Sequence, residues 1–181
     1  MDAIMKIRPN KTFRLVACVM LTLMMSVAMK PAQAAEHRLS FAVSGVVVSV
    51  NVRSGQNVKT GDVLAVMDQT PFLARKRAAD AAAKTAMLVL DLAEVKVNQV
   101  RELFDALSTS QEEVDKAETA FANAQSGYEA AAAKAKIREW KLQRATLRAS
   151  FAGKVTAVPG YAGMVVNVRA GGKTVVVVNS K

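Results

Sequence analysis

The sequence predicts an α+β protein in which a long antiparallel α-helical hairpin is inserted between two halves of a small β-sandwich. Three observations predict it. Gly45 to Asp68 and Phe151 to Val178 are rich in β-branched residues and punctuated by glycine, and neither is long enough to build a core alone. The residues between them carry a sustained apolar repeat with alternating spacings of three and four, the period of a coiled coil. A capping signature near the middle of that repeat divides it into two arms of similar length.

Residues 1–34 have the layout of a cleavable signal peptide. Lys6, Arg8, Lys11 and Arg14 form a basic start, Leu15 to Met29 is an apolar run, and Ala32-Gln33-Ala34 supplies the small residues of a cleavage site. The run would be about 22 Å long as a helix, short of the roughly 30 Å of a bilayer core, so cleavage is expected rather than a retained anchor. Cys18, the sole cysteine, falls inside this segment near its start, too early for a lipoprotein processing site. The mature chain then has no thiol for disulfides, metal binding or catalysis. Removal of residues 1–34 takes away five of 25 basic and one of 15 acidic residues, so the net charge falls from +10 to +6. These charges alternate along the helices, and aromatic residues make up only 5% of the chain, which argues against nucleic-acid binding.

After a short lead, Ala35 to Ala42, the first β segment occupies residues 43–69. Val46-Val47-Val48, Val50 and Val52 supply strands, and Gly55 and Gly61 mark turns. Thr70 suits the N-cap and Pro71 the first position of the following helix. The helical segment spans residues 70–148. Its first seam is Phe72, Lys76, Ala79, Ala83, Ala86, Leu90, Ala93, Val97, Val100, Phe104 and Leu107. Its second is Val114, Ala117, Phe121, Ala124, Tyr128, Ala131, Ala135, Arg138, Leu142 and Ala145. Lys76 and Arg138 interrupt the two seams at the same end, where their stems are expected to pack and their charges to reach water. Ser110-Gln111-Glu112-Glu113 reads as a capping box, and Ser108 with Gln111 fits the same rule two residues earlier, so the turn is placed to within about two residues and each arm is about 54 Å long. A rod of that length must project from a base this small. The second β segment, residues 149–181, is punctuated by Gly153, Pro159-Gly160, Gly163 and Gly171-Gly172.

The two β segments together resemble a lipoyl/biotinyl-type domain. Gly45-Val46-Val47, Val50, Val52-Arg53-Ser54-Gly55, Val58-Lys59, Gly61-Asp62-Val63-Leu64 and Met67-Asp68 are similar to its first half. Leu147, Ala149-Ser150-Phe151, Gly153-Lys154-Val155, Gly163 and Val166 are similar to its second. With helices between the halves, residues 43–178 resemble the HlyD-type periplasmic adaptors, or membrane fusion proteins, of efflux and secretion systems. The resemblance implies a non-enzymatic periplasmic adaptor that links an inner-membrane transporter to an outer-membrane channel and assembles as a homo-oligomeric ring. In that family the hairpin tip contacts the channel through an Arg, a Leu four residues on and a Ser seven further, followed by Glu and Asp. Leu103 and Ser110 keep this spacing, with Glu113 and Asp115 after them. Gln99 holds the Arg position, and Arg101 is the arginine at hand, so the implied contact set is Arg101, Leu103 and Ser110. Leu107-Ser108-Thr109 replaces the family's Gly–small–Ile. Family members continue into a β-barrel and a membrane-proximal domain. The chain stops at Lys181, which reads as a truncated or minimal adaptor, with a free-standing periplasmic coiled-coil scaffold as the alternative.

Other chemistry finds little footing. Lipoyl and biotinyl carriers present a lysine at a hairpin tip between their halves; here helices occupy that place, Met67-Asp68 is not followed by lysine, and no cofactor is expected. His37 is the single histidine and six of the nine methionines precede Ala35, so no metal site is expected. No nucleophile–base arrangement suggests a catalytic residue. Asp62 and Asp68 flank turns and are expected to shape them. Leu88, Leu92 and Val95 form a stripe opposite the first seam, at i, i+4, i+7. They are either scattered surface residues or a lateral contact between neighbouring hairpins. Ser110 has two readings as well, a helix cap or a partner contact.

Overall fold

The structure, a computed structural model, describes residues 36–180. The expected leader at 1–34, with Cys18, lies outside the described residues. Eight strands and two long helices follow in order: β1 Glu36–Leu39, β2 Gly45–Val50, β3 Asn57–Val58, β4 Val63–Met67, α1 Thr70–Asp105, α2 Gln111–Arg144, β5 Thr146–Arg148, β6 Gly153–Ala157, β7 Val165–Val166 and β8 Val176–Ser180. A short 3-10 helix, Val168–Ala170, lies between β7 and β8.

The strands form two antiparallel four-stranded sheets, ordered β1-β8-β6-β3 and β5-β4-β2-β7. Each sheet takes strands from both sides of the helical pair. The two chain segments are also stitched by reciprocal backbone bonds: Gly55 N–H donates to Val155 O (2.8 Å) while Val155 N–H donates to Gln56 O (2.8 Å). A second such pair joins Gly61 N–H to Ala149 O (2.8 Å) and Ala149 N–H to Asp62 O (2.9 Å). Asp62 shapes that turn, its Oδ2 accepting from Lys59 N–H at 2.7 Å. Both sheets contribute to one apolar core, in which Val47, Leu64, Met67, Val155, Val166, Val176 and Val178 are almost wholly buried. In β2 and β6 the alternation holds around Val47 and Val155, which enter the core between exposed neighbours, and is broken beyond them by register shifts at Val47/Ser49 and Val155/Ala157.

Three expectations need correction here. The lead is not outside the fold: Glu36 to Leu39 pairs with Asn179 to Val176, and Phe41 is 2% exposed in the core. Helix α2 ends at Arg144 rather than near Arg148, because Thr146 to Arg148 pairs with Val66 to Val63 of β4. Thr70 does not cap α1. The N-cap position is Gln69, which makes no side-chain cap bond; one residue earlier, Asp68 Oδ1 accepts from Thr70 N–H at 2.9 Å.

The helices run antiparallel. Val97 and Val100 of α1 pack with Val114, Ala117 and Phe121 of α2 at one end. At the other, Phe72, Leu142 and Ala145 join the sheet core. Between Phe72 and Val100 every seam position is buried or half-buried and every other residue is exposed. In α2 all ten seam positions are likewise covered. Alanine at nine of these nineteen positions lets the backbones approach closely, so the rod has a thin apolar seam rather than a thick core. Lys76 is accommodated by its own helix, donating to Asp80 Oδ2 at 2.7 Å. That hydrogen bond raises the Lys76 pKa.

The glycines make this packing testable. A Cβ at Gly153 would sit 2.3 Å from Asn179 O in the neighbouring strand, and no side chain can yield there. Gly127, within α2, has open space around its Cα. Gly153→Ala is expected to cost about 1–3 kcal/mol in urea unfolding, whereas Gly127→Ala is expected to gain about 0.5–1 kcal/mol.

Candidate functional site

The end of the rod far from the sheets is built by an interrupted helix. Helix α1 stops through a Schellman arrangement: Ser108 N–H donates to Leu103 O (2.8 Å) and Leu107 N–H to Phe104 O (2.9 Å). The left-handed position this motif requires is occupied by Leu107, with φ 57°, where glycine is the usual residue. Ser110 then opens α2 in an extended conformation, its carbonyl accepting from Glu113 N–H at 3.1 Å.

The predicted capping box does not form. The Ser110 hydroxyl makes no cap bond, and the Glu113 carboxylate is drawn to Lys116 instead, at 3.1 Å, alongside Glu112 at 2.9 Å. These two hydrogen bonds, Glu112 first, hold the Lys116 pKa above its ordinary value. The seam also ends sooner than the repeat predicts. The buried cluster of the two helices ends at Val100 and Val114, and beyond it Phe104 and Leu107 are 38% and 93% exposed.

The proposed contact residues separate into two groups. Leu103 and Ser110 both lie at the exposed tip. Arg101 turns across the hairpin, its guanidinium donating to Glu118 Oε1 at 2.7 Å through an Nη. This pair is half-exposed and contributes little to stability; its geometry ties α1 to α2 just behind the tip. Phe104 and Leu107, read from sequence as seam, join Leu103 as exposed apolar tip residues. The signal was present in the replacement of glycine by Leu107. Around them the tip is acidic: Glu102 and Asp105 close α1, and Glu112, Glu113 and Asp115 open α2. Carboxylates suit the positive N-terminus of α2 and oppose the negative C-terminus of α1.

Leu88, Leu92 and Val95 lie farther back on α1, exposed and opposite the seam, with Leu92 at 70%. Among the described residues no group of three or more His, Cys, Asp or Glu side chains is arranged to hold a metal ion, and no helix is long and apolar enough to cross a membrane.

Two measurements follow from this geometry. A left-handed backbone costs a residue with a Cβ about 1–2 kcal/mol; Leu107→Gly should therefore raise the urea midpoint by an amount equivalent to about 1 kcal/mol, with the hairpin's circular dichroism unchanged. At the opposite end of α1, the backbone N–H of Thr70 holds the Asp68 carboxyl below its ordinary pKa of 3.8. A depressed carboxyl stabilises the fold above its unfolded pKa and loses that contribution as pH falls through the folded one. Asp68→Asn should flatten the acid side of the stability profile below about pH 4 and leave neutral-pH circular dichroism intact.

Residues 38–179 match the family described as RND MFP, barrel-sandwich hybrid domain, where MFP denotes membrane fusion protein. Over 114 residues the chain is 34% identical to YdhJ, an uncharacterized protein of Escherichia coli K12, covering 63% of this chain and 40% of that one. The fold is shared with the membrane fusion protein Spr0693 of Streptococcus pneumoniae R6 (TM-score 0.60, 21% identity, 81% of this chain and 61% of that one). It is shared also with ZneB of Cupriavidus metallidurans (0.57, 21%, 83% and 62%). The chain thus spans less than two thirds of the length of each of these proteins. With the match running from β1 through both helices into β8, the chain belongs to the RND membrane fusion protein family, of which it carries the barrel-sandwich hybrid domain.

Proposed function

We propose that the protein is the periplasmic adaptor of a multi-component efflux or secretion system, linking an inner-membrane transporter to an outer-membrane channel and performing no catalysis of its own. In this reading the two β segments are the halves of a lipoyl-like base, and the helical pair is the hairpin inserted between them. The leader delivers the chain to the periplasm. Copies assemble side by side in a ring, the hairpins reach toward the outer membrane, and the pump supplies the energy.

The observation that carries the reading is the tip. Leu103, Phe104 and Leu107 expose apolar surface at the end of a rod whose arms are 36 and 34 residues long. Exposed apolar groups gathered at an extremity serve contact with another surface. Their acidic surroundings favour a partner groove with an apolar floor and a basic rim. The Leu103–Ser110 spacing agrees with the family's channel-contact motif. Arg101, held by Glu118, would support the tip from behind. Leu88, Leu92 and Val95 would supply the lateral contact between hairpins.

Both contacts can be tested in cells. A cross-linker on Ser110→Cys in the exported chain is expected to capture an outer-membrane channel, and Leu103→Asp is expected to abolish the adduct. Absence of any adduct with an outer-membrane protein would overturn the channel contact. For the lateral stripe, Leu92→Lys is expected to lower the assembly mass in analytical ultracentrifugation; an unchanged mass would remove the stripe from the interface.

A further inference from the structure

A second candidate site lies at the other end of the rod, where the helical pair meets the edge formed by β2 and β7. A cleft of about 750 Å³ opens there between the two sheet-proximal helix ends and the 3-10 helix. That volume is in the range that holds a small organic ligand. Its floor is apolar and open to solvent at Val46, Val165 and Val168, which are 45%, 61% and 40% exposed, with Phe72 and Val166 buried among the lining residues. Its rim is cationic. Arg75 comes from α1, Lys141 from α2 and Arg169 from the 3-10 helix, and no acidic side chain lines the cleft. Among the described residues the ion pairs are Lys76–Asp80, Arg101–Glu118 and Lys116 with Glu112 and Glu113, so none of the three rim cations has a carboxylate partner. Trp140, the one tryptophan, stands at the same rim 44% exposed, with the Arg144 guanidinium 5.7 Å from its ring centroid.

The wall that carries Arg169 is fixed in place. Val168 N–H donates to Ser44 Oγ at 3.0 Å, and Arg169 N–H donates to Asn167 Oδ1 at 3.1 Å. Three separate elements therefore bring like charges to one concave, partly apolar surface, an arrangement that favours binding of an anion. The apolar floor and exposed indole demand more than charge from that anion. A bare inorganic ion would leave them wet, and a nucleic acid would need a longer basic track with several stacking residues.

We propose that this cleft binds an amphipathic organic anion, its acidic head between Arg75, Lys141 and Arg169 and its apolar body against Val46, Val165, Val168 and Trp140. The inference goes beyond the adaptor reading and does not rest on it. Because Trp140 is the single tryptophan, its fluorescence reports the site directly. The purified full chain would be titrated with decyl phosphate below its micelle concentration, with decyl glucoside as the neutral amphiphile and inorganic phosphate as the isolated head group. Decyl phosphate is expected to give a saturable Trp140 signal with one-to-one stoichiometry by calorimetry, and each control to bind at least about tenfold more weakly. The Arg75→Gln/Lys141→Gln double variant is expected to lose at least about tenfold in decyl phosphate affinity. Lys134→Gln/Lys136→Gln, which removes equal charge outside the cleft, should bind as the parent does. Circular dichroism confirms that both variants keep the fold. Equal affinity for decyl glucoside, equal affinity for inorganic phosphate, or equal losses in the two double variants would each overturn the proposal.

Discussion

The structure depends on a backbone stitch between two chain segments that lie on either side of the helical pair. The reciprocal bonds of Gly55 and Gln56 with Val155, and of Gly61 and Asp62 with Ala149, join segments that cannot bury a core separately. Met67 N–H to Ala145 O (2.9 Å) adds a third tie beside the helix ends. Closing a flexible loop of that length would cost about 4 kcal/mol or more in chain entropy. The helices reduce that cost, because antiparallel arms of nearly equal length return the chain to its starting point. The rod thus helps to assemble the base from which it projects.

Stability is distributed unevenly as a result. The base buries large β-branched and aliphatic side chains from both sheets in one cluster. The rod has four buried residues toward its tip, two of them valines of α1, and alanine along most of its remaining seam. Hydrophobic stabilisation follows apolar area, so the rod opens before the base, and within the rod the alanine-lined middle holds less than the valine cluster toward the tip. The Arg101–Glu118 pair, adjacent in sequence to Val100 and Ala117, lends the end of the rod geometric definition more than free energy.

The seam and the base strands were legible in the sequence because periodicity records burial directly. From Phe72 to Val100 the alternation of three and four picks out each covered residue, including Lys76. The same periodicity carries no information about where the partner helix ends, so it ran on into Phe104 and Leu107. Strand β1 was missed for a different reason. Glu36-His37-Arg38-Leu39 has no β-branched residue, and its conformation is imposed by pairing with β8. Caps were legible as positions but not as bonds. Asp68 and Lys116 each offered a competing partner within two to four residues, and the competition was settled by geometry. The cationic cleft had no linear signature, since positions 75, 141 and 169 converge only in three dimensions.

Leu107 brings the energetic and functional arguments together. Its side chain is 93% exposed and so contributes almost nothing to packing, while its backbone holds a conformation that disfavours any side chain. Glycine would satisfy the same Schellman bonds without that strain. The exposed leucine side chain contributes no burial to offset that strain. Backbone strain clusters at functional sites, and here it falls at the extremity of the rod, next to Leu103 and Phe104. Burial of Leu107 by a partner would recover about 1.5–3 kcal/mol of transfer free energy, comparable to or larger than the backbone cost. The leucine is therefore unfavourable in the isolated chain and would be favourable in a complex that buried it, and that difference in sign supports the proposed contact at the tip rather than at the better-packed base.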